Sequence, residues 1–275
     1  LAAIFGRLYA NFFLLIRAAH MLGNAMDYSS SMTEAQNAVN VVFGKSASVM
    51  DEFAQTAIKD FGMARLSATE FASRFQAMGS TMGLTADQIV KANDFIAGKI
   101  AGNSRAYKDL GDSVADMSIN LTKLTADMAS LFNQDYADVA QDMQAIYTGM
   151  TRPLRKYGLD LTQATLKEWA MANGLDAEIE KMSQAAKTML RYQYVMSRAA
   201  GAMGDFAKTQ DTWANSLRTV KQLLQEVART IGEGLINAFR PALIAFKQFL
   251  FNFLELAENA LNAIGKLLGW KQIDS

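Results

Sequence analysis

The sequence predicts an all-α protein with no sheet, and three observations carry that prediction. Apolar residues recur at spacings of three and four along almost the whole chain, with no sustained two-residue alternation. Proline occurs only at Pro153 and Pro241, against roughly 5% in average usage. Ala, Met, Leu, Gln and Lys, all good helix formers, are abundant. The expected architecture is short helices and helical hairpins over about 30–203. Long amphipathic, coiled-coil-like helices follow over about 205–240 and 241–268. Three segments result: an apolar N-terminal helix (1–28), a helical region (29–203) and a long-helix segment (204–275).

The chain opens at Leu1 on an apolar stretch and reads as a fragment or a processed product. Its longest uncharged run there is 8–16, short of the ~20 residues that span a bilayer. No small-residue cleavage pattern follows it, so a signal peptide is not supported. The serine-rich "MDYSSSMTEAQ" reads as a loop entering a helix, with Thr33 as N-cap and Gln36 closing a capping box. Gly44 ends that helix, Ser46 caps the next, and Gly62 ends it in turn. Ser67, with Glu70 three residues on, is expected to cap "ATEFASRFQAM". Glycines at 79, 83, 98, 102 and 111 make 79–112 the least regular stretch. A longer helix then carries Val114, Met117, Leu121, Leu124, Met128 and Leu131 as one apolar stripe. Asp135 caps a helix to about Tyr147. Gly149, Pro153 and Gly158 break the chain, and helices follow at about 162–173 and 183–200.

The clearest periodicity comes last. Trp213, Leu217, Val220, Leu224, Val227 and Ile231 are spaced 4–3–4–3–4, the a/d stripe of a coiled-coil-like seam lasting less than three heptads. Gly232 and Gly234 are expected to loosen it, and Pro241 to mark a kink or a fresh helix start. Ahead of the seam, "GDFAKTQDT" reads as a hand-over. Gly204 can end one helix, while Asp205 and Thr209 suit the caps of others. The final helix is amphipathic, with Phe246, Leu250, Phe253, Ala257, Ala260, Ile264 and Leu267 on one face. Gln248, Asn252, Glu255, Asn259, Asn262 and Lys266 lie opposite. Such a helix packs against other helices or lies on a membrane surface.

Chemistry is sparse. The net charge is zero, with 27 basic and 27 acidic residues. That argues against specific or broad nucleic-acid binding, which needs a cationic surplus. Cysteine is absent, so there is neither thiolate chemistry nor a disulfide framework. His20 is the single histidine and has no partners for a triad or a zinc site. Gly44-Lys45-Ser46 resembles the tail of a P-loop, but the glycine the motif needs five residues earlier is Val39. The carboxylates Asp51, Glu52, Asp109, Asp112, Glu178 and Glu180, and the bases Arg152, Arg155 and Lys156, read as solvated faces and turns. "NLT" at 120–122 is a glycosylation sequon by pattern alone. The 16 methionines and 16 phenylalanines read mainly as core. No enzyme activity, metal or cofactor is expected.

Five blocks occur in a fixed order. They are "AQNAVNVVFGKSASVMDEFAQTAIKDFGMARLSATEFASRFQAMGSTMGL", "DMSINLTKLTADMASLFNQD", "GMTRPLRKYGLDLTQATLKEWAMANGL", "EKMSQAAKTMLRYQYVM" and "GDFAKTQDTWANSLRTVKQLLQEVARTIGEGLINAFRPAL". Together they resemble the conserved region of tail tape measure proteins from tailed phages and prophages of Gram-positive bacteria. The resemblance covers about 34–86 and 113–245; residues 87–112 look like an insertion. Members are usually much longer, so the chain resembles one region of a longer protein.

The resemblance implies a structural virion protein in the lumen of the phage tail, assembled in the bacterial host cytoplasm. It would set tail length and nucleate tube assembly. Its partners would be tail tube protein, tail assembly chaperones, distal tail or baseplate proteins and further copies of itself as a low-order homo-oligomer. A role in genome ejection, with contact to the host membrane, is also implied. The alternative expectation is a membrane-active, channel-forming module built from the terminal amphipathic helices; a cell-wall hydrolase region ranks below both. Within the matching blocks, Pro153, Tyr157, Gly158, Gly204, Asp205, Phe206, Thr209 and Pro241 are the motif and hinge positions. Trp213, Leu217, Val220, Leu224, Val227 and Ile231 are the self-association seam.

Overall fold

A computed structural model describes the backbone over residues 2–100, 110–176 and 178–268, and side chains over 23–100, 110–176, 178–241 and 244–262. His20, Asp109, Gly102, Ile264, Lys266 and Leu267 fall outside the described side chains. Among the described residues the chain is all-helical and contains no strand. It divides into two compact units, one comprising 30–227 and the other 1–29 with 228–275. The larger unit thus takes in the hand-over and the first part of the seam.

Helix α1 (Ala2–Phe43) runs without interruption through the serine-rich stretch that the sequence marks as a loop. Among its described side chains, Ala25, Ser29, Met32, Ala35, Val39 and Phe43 are buried. That three-to-four spacing carries the helical face across the serines, with Ser29 in a core-facing slot. Thr33 therefore lies inside the helix and not at its start, and Gln36 donates to Asp51 at 2.8 Å. A short 3₁₀ turn (Gly44–Ser46) leads into α2 (Ala47–Phe61), and Ser46 makes no side-chain cap. Gly62 stops α2 in the left-handed conformation (φ 61°), where glycine carries no steric penalty.

Helix α3 (Arg65–Thr81) starts before Ser67, so the expected Ser67–Glu70 box does not form. Helix α4 (Ala86–Ile100) occupies the stretch expected to be least regular, and within the expected insertion 87–112 it buries Ile89, Ala92, Asn93, Ile96 and Ile100. Gly79 lies inside α3 and packs closely on α5: a Cβ there would sit 2.6 Å from Val114 Cγ1. The carbonyls of Leu110 and Gly111 accept from Asn93 at 3.1 and 2.6 Å. Asn120 adds a bond to Leu110 at 2.8 Å. Asn120 is buried, which removes the "NLT" sequon from reach of a glycosyl transferase in the folded chain.

Helix α5 (Val114–Leu131) is the centre of the larger unit, packed by α2, α3 and α6 (Tyr136–Met143). A Ser113–Asp116 capping box opens it. Asp135 caps α6 as the sequence predicts, accepting from Ala137 at 2.9 Å. Helix α7 (Ala145–Thr148) ends at Gly149, and a 3₁₀ turn (Pro153–Tyr157) follows with Pro153 at its start. Helices α8 (Gln163–Ala172) and α9 (Gln184–Arg198) complete this part, α9 packing on α4, α7 and α8. Two short elements remain before the last helix: a 3₁₀ turn at Ala199–Gly201 and α10 (Asp205–Thr209).

The last helix, α11 (Trp213–Leu268), begins at the residue the periodicity picks out, but it does not break at Pro241. Proline removes one N–H and frees the carbonyl of Asn237. Both residues are exposed, so water can satisfy that carbonyl. In the smaller unit, Gly232 is not a loosening residue. A Cβ there would collide with the Ala25 carbonyl and lie 2.8 Å from Ser29 Cβ, so glycine permits two helices to approach closely.

Candidate protein-interaction surface

The hand-over at 199–215 is held by one buried carboxylate. Asp127 of α5 is 0% exposed, and its two oxygens accept the N–H groups of Gly204 at 2.7 Å and Phe206 at 3.1 Å. Gly204 adopts φ 76°, which favours glycine. The Phe206 ring fills the space over Gly62, where a Cβ would lie 2.5 Å from it. Asp205 and Thr209 do not cap helix starts; they open and close α10 and face Ser130. The Ser130 hydroxyl donates to Asp205 Oδ2 at 2.6 Å and lies 3.0 Å from the Thr209 hydroxyl. Asn215, nearly fully buried, donates to Ser130 Oγ and Thr209 Oγ1, both at 2.8 Å. The start of α11 is served by Thr212, whose carbonyl accepts from Ser216 at 2.8 Å.

From here α11 presents two unlike faces. The face turned to the rest of the larger unit is polar. Gln222 Oε1 accepts from Ala64 N–H at 2.8 Å, and Glu226 Oε1 accepts from Arg65 N–H at 2.6 Å. Those two amides open α3, whose own N-cap residue, Ala64, has no side-chain oxygen to offer. Glu226 also places negative charge at a helix N-terminus, where the macrodipole favours it. At the other polarity, the Arg218 guanidinium donates to the Ala129 and Gln134 carbonyls, both at 3.3 Å, near the C-terminal end of α5. It also bonds Asn215 Oδ1 and lies 5.5 Å from the Tyr136 ring centroid. Residues 158 and 161 positions away thus supply caps that α3 lacks locally, and Arg218, 89 positions from Ala129, adds a donor at the end of α5.

The other face is apolar and outward. Trp213 is 83% exposed and Leu224 64% exposed, and Leu217, Val220, Val227 and Ile231 are each about half exposed. Leu223 lies beside the stripe and is likewise exposed. Further along α11, Phe246, Leu250 and Phe253 of the predicted stripe are exposed. Phe249, Phe251, Leu254 and Leu256, which lie off it, are exposed as well. The apolar surface there is wider than the amphipathic pattern predicts.

The motif positions around Pro153 belong to a separate packing point. Tyr157 donates to Asp142 Oδ2 at 2.7 Å, and Lys156 pairs with the same carboxylate at 2.7 Å. Burial, then the bond to Asp142, raises the Tyr157 phenol above its ordinary pKa. Its ring meets Phe132 edge-on, with centroids 5.2 Å apart. Gly158 takes φ 76° to leave this turn. Arg155 reaches Asp160 at 3.4 Å, so two of the three bases of the cluster, Arg155 and Lys156, form local ion pairs.

Among the described residues, no group of three or more His, Cys, Asp or Glu could hold a metal ion. Among them too, no helix is long and apolar enough to cross a membrane. An open groove of about 890 Å³ runs along α2, α5 and α10, lined in part by Phe53, Lys59, Ile119, Lys123 and Lys208. No protein-family model, curated protein or solved structure matches the chain.

Proposed function

We propose that this chain is a structural region of a phage tail tape measure protein, working through protein–protein contacts in the tail lumen. The observation that carries this reading is the outward apolar stripe of α11, from Trp213 to Val227, on a helix whose polar face is already occupied. A row of exposed large apolar side chains marks a surface that another protein covers. The five ordered sequence blocks supply the kind of assembly. In that assembly the chain contributes to tail length and to nucleating the tube, and it meets tube subunits, assembly chaperones and distal tail or baseplate proteins. The coiled-coil-like seam is part of this proposal. The test is electron microscopy of particles whose gene lacks the codons for 213–240. Absent or shortened tails are expected; tails of normal number and length contradict the reading.

A second reading has its own support in the exposed phenylalanines at 246, 249, 251 and 253. Such a helix can lie in a membrane interface during genome ejection. Co-sedimentation of the whole chain with liposomes, lost on replacing Phe249 and Phe253 with Asp, is the expected result of that role. A chain that stays in the supernatant contradicts it.

A further inference from the structure

We infer that the larger unit holds a binding pocket for a carboxylate joined to a short apolar group, with Arg191 and Lys187 of α9 as its anion-binding groups. The pocket has a volume of about 200 Å³ and lies where α8, α9 and the turn after α7 meet. Leu161, Leu166, Ile179 and Leu190 wall it. All four are buried, so neighbouring elements fix its shape. The other polar side chains that open onto it, Thr151 and Gln163, are uncharged.

Arg191 carries most of the argument. Its Nη1 donates to the carbonyls of Ile146 and Tyr147, at 3.1 and 3.3 Å. Those bonds cap the end of α7, an ordinary task for an arginine at a helix C-terminus. They use only one nitrogen of the fork. Nε and Nη2 bond no described residue. Neither Arg191 nor Lys187 has an ion-pair partner among the described residues. Glu178 and Glu180, on either side of Ile179, do not line the pocket, and Glu178 pairs with Lys181 at 2.8 Å. Gly149 completes the arrangement: a Cβ there would lie 2.7 Å from Arg191 Nη2, so glycine lets the guanidinium rest against the turn. Burial holds the Arg191 pKa below its ordinary value. The charged form has lost water there, and no acid of the chain replaces it.

Shape and charge together select the ligand. Two cations beside four aliphatic walls suit an anion with an apolar body. Phosphate or sulfate presents three or four oxygens, and the walls would leave most of them without a donor. A carboxylate presents two, which match the open edge of a guanidinium. The volume admits a group the size of a leucine side chain with its carboxylate. It excludes a nucleotide, since sites for drug-sized ligands run to about 300–1,000 Å³. Two sources share the required chemistry: the last residue of a peptide chain, and a free branched short-chain acid.

The experiment is isothermal titration calorimetry of the whole chain. The probes are isocaproate, N-acetyl-glycyl-leucine with a free carboxylate, the same dipeptide as its C-terminal amide, and inorganic phosphate. At least one of the carboxylates is expected to bind with a Kd of about 1 mM or tighter, and the amide not to bind. Tighter binding of the dipeptide assigns the source to a chain end; tighter binding of isocaproate assigns it to a free acid. Arg191→Met and Lys187→Met should each weaken the carboxylate about tenfold or more. The Lys187 side chain bonds no described residue, so Lys187→Met keeps its helical circular dichroism. It decides the matter even where loss of the α7 cap unsettles Arg191→Met. No binding by either carboxylate, equal binding of the amide, phosphate binding as tightly as the carboxylates, or undiminished binding in Lys187→Met overturns the assignment.

Discussion

Helices α5 and α11 carry nearly the same apolar rhythm and meet opposite fates. The α5 stripe, Met117, Leu121, Leu124 and Met128, is buried; the α11 stripe, Leu217, Val220, Leu224 and Val227, faces out. The difference lies in what occupies the rest of each helix. Around the α5 stripe stand small or short side chains, Ala115, Ser118, Thr122, Thr125, Ala126 and Ala129, which let neighbours close in on every side. Around the α11 stripe stand Arg218, Gln222 and Glu226, long enough to reach backbone groups at the ends of other helices. Periodicity identifies a face; the chemistry of the opposite face decides which way it turns.

Truncating matched leucines separates the two helices most strongly. Leu124→Ala should destabilise the chain by about 3 kcal/mol through lost burial and a residual cavity, read by denaturant unfolding. Leu224→Ala, measured where the chain is monomeric, should change stability by less than about 0.5 kcal/mol. Equal losses at the two sites would dissolve the distinction. Next in size is Asp127→Ala, which strands the buried N–H groups of Gly204 and Phe206. A loss of about 2–3 kcal/mol is expected by the same measurement. The docked face itself should respond more modestly: Gln222→Ala and Glu226→Ala each remove a cap from α3, worth about 1 kcal/mol apiece.

The smallest effect is a pH dependence at Asp160. The Thr162 backbone N–H bonds its carboxylate, and Arg155 lies beside it, so its pKa falls below the ordinary 3.8. A depressed folded-state value means that the ionised form is the stabilising one. That contribution is present above pH 3.8 and is lost as pH falls through the lower folded value. The melting temperatures of the parent and of Asp160→Asn should therefore differ slightly at neutral pH and converge in acid.

Much of the fold is legible locally because its signals are local. Gly62, Asp135 and the 3–4 spacing act within a few residues, and the start of α11 at Trp213 follows from them. Ser29 and Ser67 mislead because a serine reads as a loop or a cap until its helical neighbours are known. The caps on α3 are invisible in sequence, since Gln222 and Glu226 lie 158 and 161 positions from their partners. The residues of the candidate surface can be found from periodicity alone. Their outward direction cannot, because it depends on where Arg218, Gln222 and Glu226 find partners. Asp127, which fixes the hand-over, gives no signal in sequence: it sits in a helix like any solvated acid.

Helix α11 docks by its polar face, and amide hydrogen exchange at Ala64 and Arg65 reads that contact out. In the parent, both amides should exchange slowly, held by Gln222 and Glu226. In the Gln222→Ala/Glu226→Ala variant, those two should exchange markedly faster while the amides in the middle of α5 stay protected. Unchanged exchange at Ala64 and Arg65 in that variant would contradict the docked arrangement.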